Sequence, residues 1–180
     1  SDHPYNNAGA SVTESLAFSL ATAVEYLRQM ESRGISVNDA ASRVVFSVSV
    51  GPSLFMEIAK LRAARELWAQ IIQAAAGNDT AQRMTIHVRT SSANVTGIDP
   101  YVNMLRTTGE AFAAVVGGCD SLHVGFFDQA VRQPDQFSRR IARNTQLILR
   151  HESHLDRIID PAGGSYFIES LTNELAQKTW

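Results

Sequence analysis

Val44-Val45-Phe46-Ser47-Val48-Ser49-Val50, closed by Gly51-Pro52, and later Met84-Thr85-Ile86-His87-Val88-Arg89-Thr90 are the stretches on which the fold turns. Both are short, β-branched and mostly apolar, and Gly-Pro is a strong breaker, so each predicts a strand. Alternation in the second run puts Met84, Ile86 and Val88 on one side and Thr85, His87 and Arg89 on the other. What lies between and around them has the helical period. Leu16, Leu20, Val24 and Leu27 are spaced three or four apart, which predicts a helix from about Ala10 to Arg33, with Gly34 as its stop. A second helix is expected from Pro52 through Ala76, closed by Gly77-Asn78-Asp79, and a third from Pro100 to Val116, broken by Gly117-Gly118. A third strand then falls around Ser121 to Gly125. Strand, helix, strand, helix in this order argues for an α/β fold with parallel strands under covering helices, either a barrel or a doubly wound sheet. A complete eight-unit barrel takes about 250 residues, more than this chain has.

Bulk properties narrow the function classes. The chain has 180 residues, 44% of them hydrophobic, and a formal charge of −2. That suits one globular domain and gives no electrostatic case for nucleic acid. No apolar run is long enough to cross a membrane, and the polar start SDHPYNN is not a secretory signal. Cys119 is the single cysteine, which excludes an intrachain disulfide and a cysteine metal cluster and fits a reducing, cytoplasmic setting.

Two further segments stand out. Pro134 and Asp135 open a helix in which Phe137, Ile141, Leu147 and Ile148 roughly keep the spacing of a buried face. Arg139, Arg140 and Arg143 are then distributed around it and read as a solvated basic face. Pro161, Gly163 and Gly164 set a sharp reversal before the apolar run Tyr166-Phe167-Ile168. His87 and His123 on strands read as satisfied interior groups. His151 and His154 lack two further ligands for zinc and fit the cationic end of the arginine helix. The charges of FMEIAKLRAAREL are expected on the outer side of a covering helix.

Six blocks, AGASVTESLAFSLA (Ala8 to Ala21), FMEIAKLRAARELW (Phe55 to Trp68), DPYVNMLRTT (Asp99 to Thr108), SLH (Ser121 to His123), RRIARNTQLIL (Arg139 to Leu149) and DPAGGSYFIESLT (Asp160 to Thr172), occur in an order that resembles the adenosylcobalamin-dependent acyl-CoA mutases, of which methylmalonyl-CoA mutase is the type. The resemblance covers nearly the whole chain. It implies that residues 1–180 are the later part of a substrate-binding (β/α)8 barrel, with the three strands as its last three. It also implies that the earlier barrel strands and the cobalamin-binding domain lie outside this sequence.

In such enzymes the cofactor supplies radical chemistry while the protein orients the acyl-CoA. Catalytic members carry the string Tyr-His-Met-Gln-Glu-Ala-Gly-Ala, whose histidine meets the substrate carbonyl. Matching Ala8-Gly9-Ala10 puts Pro4 at that position, and proline can neither donate nor act as an acid. His3 is one residue early, a shift that would reverse its direction in an extended segment. Arg43 matches an arginine facing the CoA end, but its serine partner is Val45 here. His87 matches a retained histidine, Arg89 replaces a glutamine with a fixed cation, and Gln129 replaces a glutamate expected to accept from the cofactor's ribose. Arg43 is therefore the expected substrate-binding residue, and His87, Arg89 and Gln129 the expected cofactor-facing remnants, with no catalytic residue and no metal ligand.

Together these departures resemble the small, non-catalytic subunit of heterodimeric mutases. The implied partner is a catalytic large subunit, acyl-CoA is a possible ligand, and adenosylcobalamin belongs to the holoenzyme, with none expected on this chain alone. The competing expectations are a catalytic mutase of altered acyl-CoA preference and a CoA-binding scaffold module.

Overall fold

The structure, a computed structural model, describes residues 1–180. Three strands, β1 (Val45–Val50), β2 (Thr85–Thr90) and β3 (Ser121–His123), form one parallel sheet in sequence order. Val48 lies opposite Val88 and Val88 opposite Leu122, so the apolar residues share one face. The helices are α1 (His3–Asn7), α2 (Val12–Glu31), α3 (Val37–Ala41), α4 (Leu54–Ala74), α5 (Asn103–Val116), α6 (Gln136–His151) and α7 (Tyr166–Thr179). Parallel neighbours need long crossovers, and α4 and α5 supply them.

The apolar face takes all the large helices. Phe46 of β1 meets Trp68 of α4 edge-on, with ring centroids 4.9 Å apart. Val48, Val50, Ile86 and Val88 share one buried cluster with Leu16, Leu20 and Leu27 of α2, Leu61 and Leu67 of α4, Ala113 and Ala114 of α5, and Ile168 and Leu175 of α7. A smaller cluster joins Ala111 of α5 to Val124 and to Ala142 and Leu149 of α6. Ser47, Ser49, His87, Arg89, Ser121 and His123 occupy the opposite face, with only α1 near it. Helices on one face alone are the arrangement of a barrel wall; in a doubly wound sheet they cover both faces.

The long helices arise where the apolar period predicts them. Ser11 and Glu14 make a reciprocal capping box at the start of α2, and Asp135 accepts from the Ser138 N–H at the start of α6. Three expectations need correction. The buried stripe of α6 is Ser138, Ala142 and Leu149, while Phe137, Leu147 and Ile148 are exposed. Ser138 is drawn inward because its hydroxyl donates to the buried Asp128 carboxylate at 2.5 Å. The charges of α4 are not all outside, since Glu57 and Lys60 are 4% and 1% exposed and pair with each other, and Lys60 Nζ donates to the Ser49 carbonyl at 2.7 Å. Tyr166-Phe167-Ile168 is no isolated apolar run but the first turn of α7.

The reversal before α7 is fastened from α4. Arg62 donates to Asp160 and, at 2.7 Å, to Glu169. A Cβ at Gly163 would sit 2.8 Å from Asp160 Oδ2, and Gly164 has φ +80°, a left-handed conformation that disfavours side chains. The two glycines in Asp160-Pro-Ala-Gly-Gly164 thus have separate reasons.

Candidate functional site

The polar face is built by period two. Ser47 is opposite His87 and His87 opposite Ser121; Ser49 is opposite Arg89 and Arg89 opposite His123. Side chains two residues apart on each strand share a face, so six polar groups from three strands form one surface. His87 Nδ1 lies 2.8 Å from Ser121 Oγ. His123 has its ring edge-on to Phe126, with centroids 6.0 Å apart. Arg89 is exposed and points onto the same surface.

His3 joins this surface from α1. Its Nδ1 is 2.6 Å from Ser49 Oγ and its Nε2 2.9 Å from Ser47 Oγ, so one imidazole spans both serines of β1. The segment that carries it is a helix with proline in its first turn, not an extended strand. The alternation of an extended strand therefore does not govern His3, which reaches the face although Pro4 is exposed. Asp2 fixes the approach: its N–H donates to the Ser47 carbonyl at 3.0 Å, and its Oδ1 accepts from the Ser49 N–H at 2.6 Å. Asn6 and Asn7 accept from the Ser91 and Ser92 hydroxyls at 2.8 and 2.9 Å. α1 thereby lies across the C-terminal ends of β1 and β2, the end at which barrels carry their sites.

These groups are mainly cationic or neutral donors. Burial first, then the Arg89 guanidinium, push the His3 imidazole down to about 4. His123 is likewise lowered, by burial and then by Arg89 and His87. Gln129 follows β3, its amide 3.4 Å from where a Cβ on Gly125 would stand, and the Gly125 N–H donates to Thr90 Oγ1 at 2.8 Å. The adjacent Asp128 is committed elsewhere, to Ser138 and to Arg132 Nε at 2.7 Å.

Arg43 is not gathered with the rest. It sits in the turn before β1, exposed, at the N-terminal end of the strand, whereas His3, Arg89 and Gln129 belong to the C-terminal half of the sheet. The serines that hold His3 were legible only as the polar alternates of Val44 to Val50. Glu110 gave no signal. It is 1% exposed beneath the loop after β2, takes a hydrogen bond from Asn94, and is pushed up to about 7, chiefly by burial. His151 closes α6 and His154 lies beyond it at φ +52°; no three His, Cys, Asp or Glu side chains converge as a metal site.

Residues 1–180 match the family described as methylmalonyl-CoA mutase. The chain belongs to that family. Among its relatives, methylmalonyl-CoA mutase of Rhizobium meliloti (strain 1021) is 47% identical over 181 residues, covering 100% of this chain and 25% of that protein. The methylmalonyl-CoA mutase small subunit of Streptomyces virginiae is 49% identical over 177 residues, 98% of this chain and 29% of that protein. The small subunit of Porphyromonas gingivalis (strain ATCC BAA-308 / W83) is 44% identical over 178 residues, 97% and 29% respectively. This chain thus spans between a quarter and three tenths of the length of these mutase-family relatives. Two blocks on which the family resemblance rests have structural duties here: Asp160 and Glu169 hold the Arg62 clamp, and Ala142 and Leu149 pack α6. No helix is long and apolar enough to cross a membrane.

Proposed function

We propose that this chain is part of the small subunit of a methylmalonyl-CoA mutase, which interconverts methylmalonyl-CoA and succinyl-CoA. Residues 1–180 supply a segment of its substrate barrel, paired in the cytoplasm with a catalytic large subunit. The observation that carries the reading is the donor set of the polar sheet face. Arg89 can only donate, and both ring nitrogens of His3 are engaged by Ser47 and Ser49. Pro4 has nothing to offer a thioester carbonyl. Relatives named as small subunits, 44% to 49% identical, support the same reading.

Adenosylcobalamin is the cofactor of the family and is assigned here to the holoenzyme. After β3 the Asp128 carboxylate is buried against Ser138 and Arg132, and the Gln129 amide beside Gly125 is left as the group that could accept from a ribose hydroxyl. His87, Arg89 and Gln129 are read as remnants of a cofactor-facing surface and Arg43, at the other end of β1, as a separate substrate-binding candidate, without a catalytic assignment.

The test is to purify the full-length chain with and without its large subunit. Co-purification, with turnover of methylmalonyl-CoA only in the complex, is the expected result. Turnover by the full-length chain alone would overturn the proposal.

A further inference from the structure

We infer that the loop after β2, residues 91–97, is a proton-operated latch: it stays closed and holds α1 over the sheet face while the buried Glu110 carboxyl keeps its proton, and it opens when that proton leaves. The latch is independent of the subunit assignment above, because every contact in it lies within residues 1–180. Glu110 is 1% exposed there, so chain outside this sequence has no access to its carboxyl.

Both ends of the loop are tied by groups that do not titrate. At its start the Ser91 N–H extends the sheet by donating to the Val50 carbonyl at 2.8 Å, and the Ser91 and Ser92 hydroxyls hold Asn6 and Asn7 of α1. At its far end stands Asn103, fully buried at the start of α5. Its Nδ2 donates to the carbonyls of Thr96 and Phe127 at 2.9 and 2.8 Å, and its Oδ1 accepts from the Thr96 N–H at 3.2 Å and from Arg106 Nη1 at 2.8 Å. Both amide hydrogens and both lone pairs of Asn103 are used, so this tie is the same at every pH.

The middle of the loop is held differently. Asn94 Nδ2 donates to Glu110 Oε1, about two turns along α5 from Asn103, while Glu110 Oε2 is buried with no partner. Ionisation would put charge on that bare oxygen away from water, a costly arrangement that a neutral acid avoids. No cation is free to answer it: Lys60 of α4 pairs with Glu57 and donates to the Ser49 carbonyl, and Arg106 of α5 is engaged by Asn103. Burial thus pushes Glu110 up to about 7 against the bonds from Asn94 and the Ser91 backbone, with the Glu57 charge adding to the rise and Arg106 opposing it.

Opening the loop lets water reach the carboxyl, which returns toward 4.5. The closed loop therefore binds the proton more tightly than the open one, and closure is lost as pH rises from 4.5 through 7. Because Asn6 and Asn7 hang from Ser91 and Ser92, release of the loop loosens α1 as well. His3, the titratable group of α1, is held down to about 4 and stays neutral over this range.

The experiment is amide hydrogen exchange, read by mass spectrometry between about pH 5 and about pH 8, on the full-length protein together with any subunit that purifies with it. Rates are corrected for base catalysis of the intrinsic exchange. In the wild type, protection of residues 91–97 should fall about tenfold or more across this range, with residues 5–10 of α1 following and β2 staying protected. Glu110→Gln keeps the bond from Asn94 and cannot ionise, so its loop protection should not change with pH. Asn94→Ala, a change in the loop itself, should open the loop already at the acid end. Constant loop protection in the wild type overturns the inference, as does a Glu110→Gln profile parallel to it. Loss of protection shared equally by β2, or an α1 that stays protected while the loop opens, overturns it too. Should Glu110→Gln not fold, Asn94→Ala decides: loop protection equal to that of the wild type at the acid end sinks the latch.

Discussion

His3 and Ser49, 46 residues apart, are joined by a 2.6 Å hydrogen bond, and the same imidazole reaches Ser47. This contact ties α1 to the inner side of β1, in a setting whose burial favours the neutral ring. The unfolded chain takes up a proton near 6.5, whereas burial and Arg89 hold the folded ring off until about 4. The unfolded state therefore binds more protons within that window. Stability from this group is complete above pH 6.5 and is lost as pH falls through 4. Urea unfolding over this range in the wild type and His3→Ala measures it. The variant is expected to lose about 1 to 2 kcal/mol at neutral pH and to show a shallower acid slope. An unchanged slope would count against the contact.

Glu110 should give the opposite dependence. Its carboxyl is pushed from 4.5 up to about 7, first by burial and also by Glu57. The folded state holds the proton longer than the unfolded chain does. The contribution is thus complete below pH 4.5 and lost as pH rises through 7. Glu110→Gln keeps the shape and the bond from Asn94 but cannot ionise, so its stability should vary less between those limits. A wild type and variant with parallel profiles would contradict this.

Arg62 is the clamp on the segment before α7. Replacing it with alanine leaves Asp160 and Glu169 without their shared cation, and the half-exposed geometry makes a loss of about 1 to 2 kcal/mol reasonable. Amide exchange at residues 160–169 should quicken while β1 and β2 stay protected. Uniform acceleration across the chain would mean that the clamp holds more than this reversal.

Cys119, half-buried at the end of α5, has its thiol pushed up to about 11, mainly by burial. Because the thiolate is the nucleophile, alkylation of the native protein at mildly alkaline pH should run roughly a hundred times slower than after denaturation. Mass spectrometry after timed iodoacetamide treatment reads the ratio directly. Equal rates would show the thiol to be free of this environment.

Much of the scaffold was legible in local pattern. Val44 to Val50 and Met84 to Thr90 announce their strands by β-branching, and Leu16, Leu20 and Leu27 do fall on the buried stripe of α2. The missed elements have weaker local signals. α3 is a single short turn, and α7 begins with three bulky apolar residues that give no helical period until its later turns are counted. In α6 the expected stripe was displaced by one residue, since a serine was not counted as a core residue until Asp128 gave it a partner.

From sequence alone came the parallel α/β order, the family resemblance, and the side of β2 on which His87 and Arg89 lie, because periods of 3.6 and 2 are properties of neighbouring residues. Only the tertiary structure decided that the helices cover one face of the sheet and that Lys60 of α4 is buried against a strand carbonyl. It alone also set the His3 imidazole across Ser47 and Ser49. Those relations join residues far apart in the chain, where burial and hydrogen-bond pairing choose among many contacts that local periodicity leaves equally open.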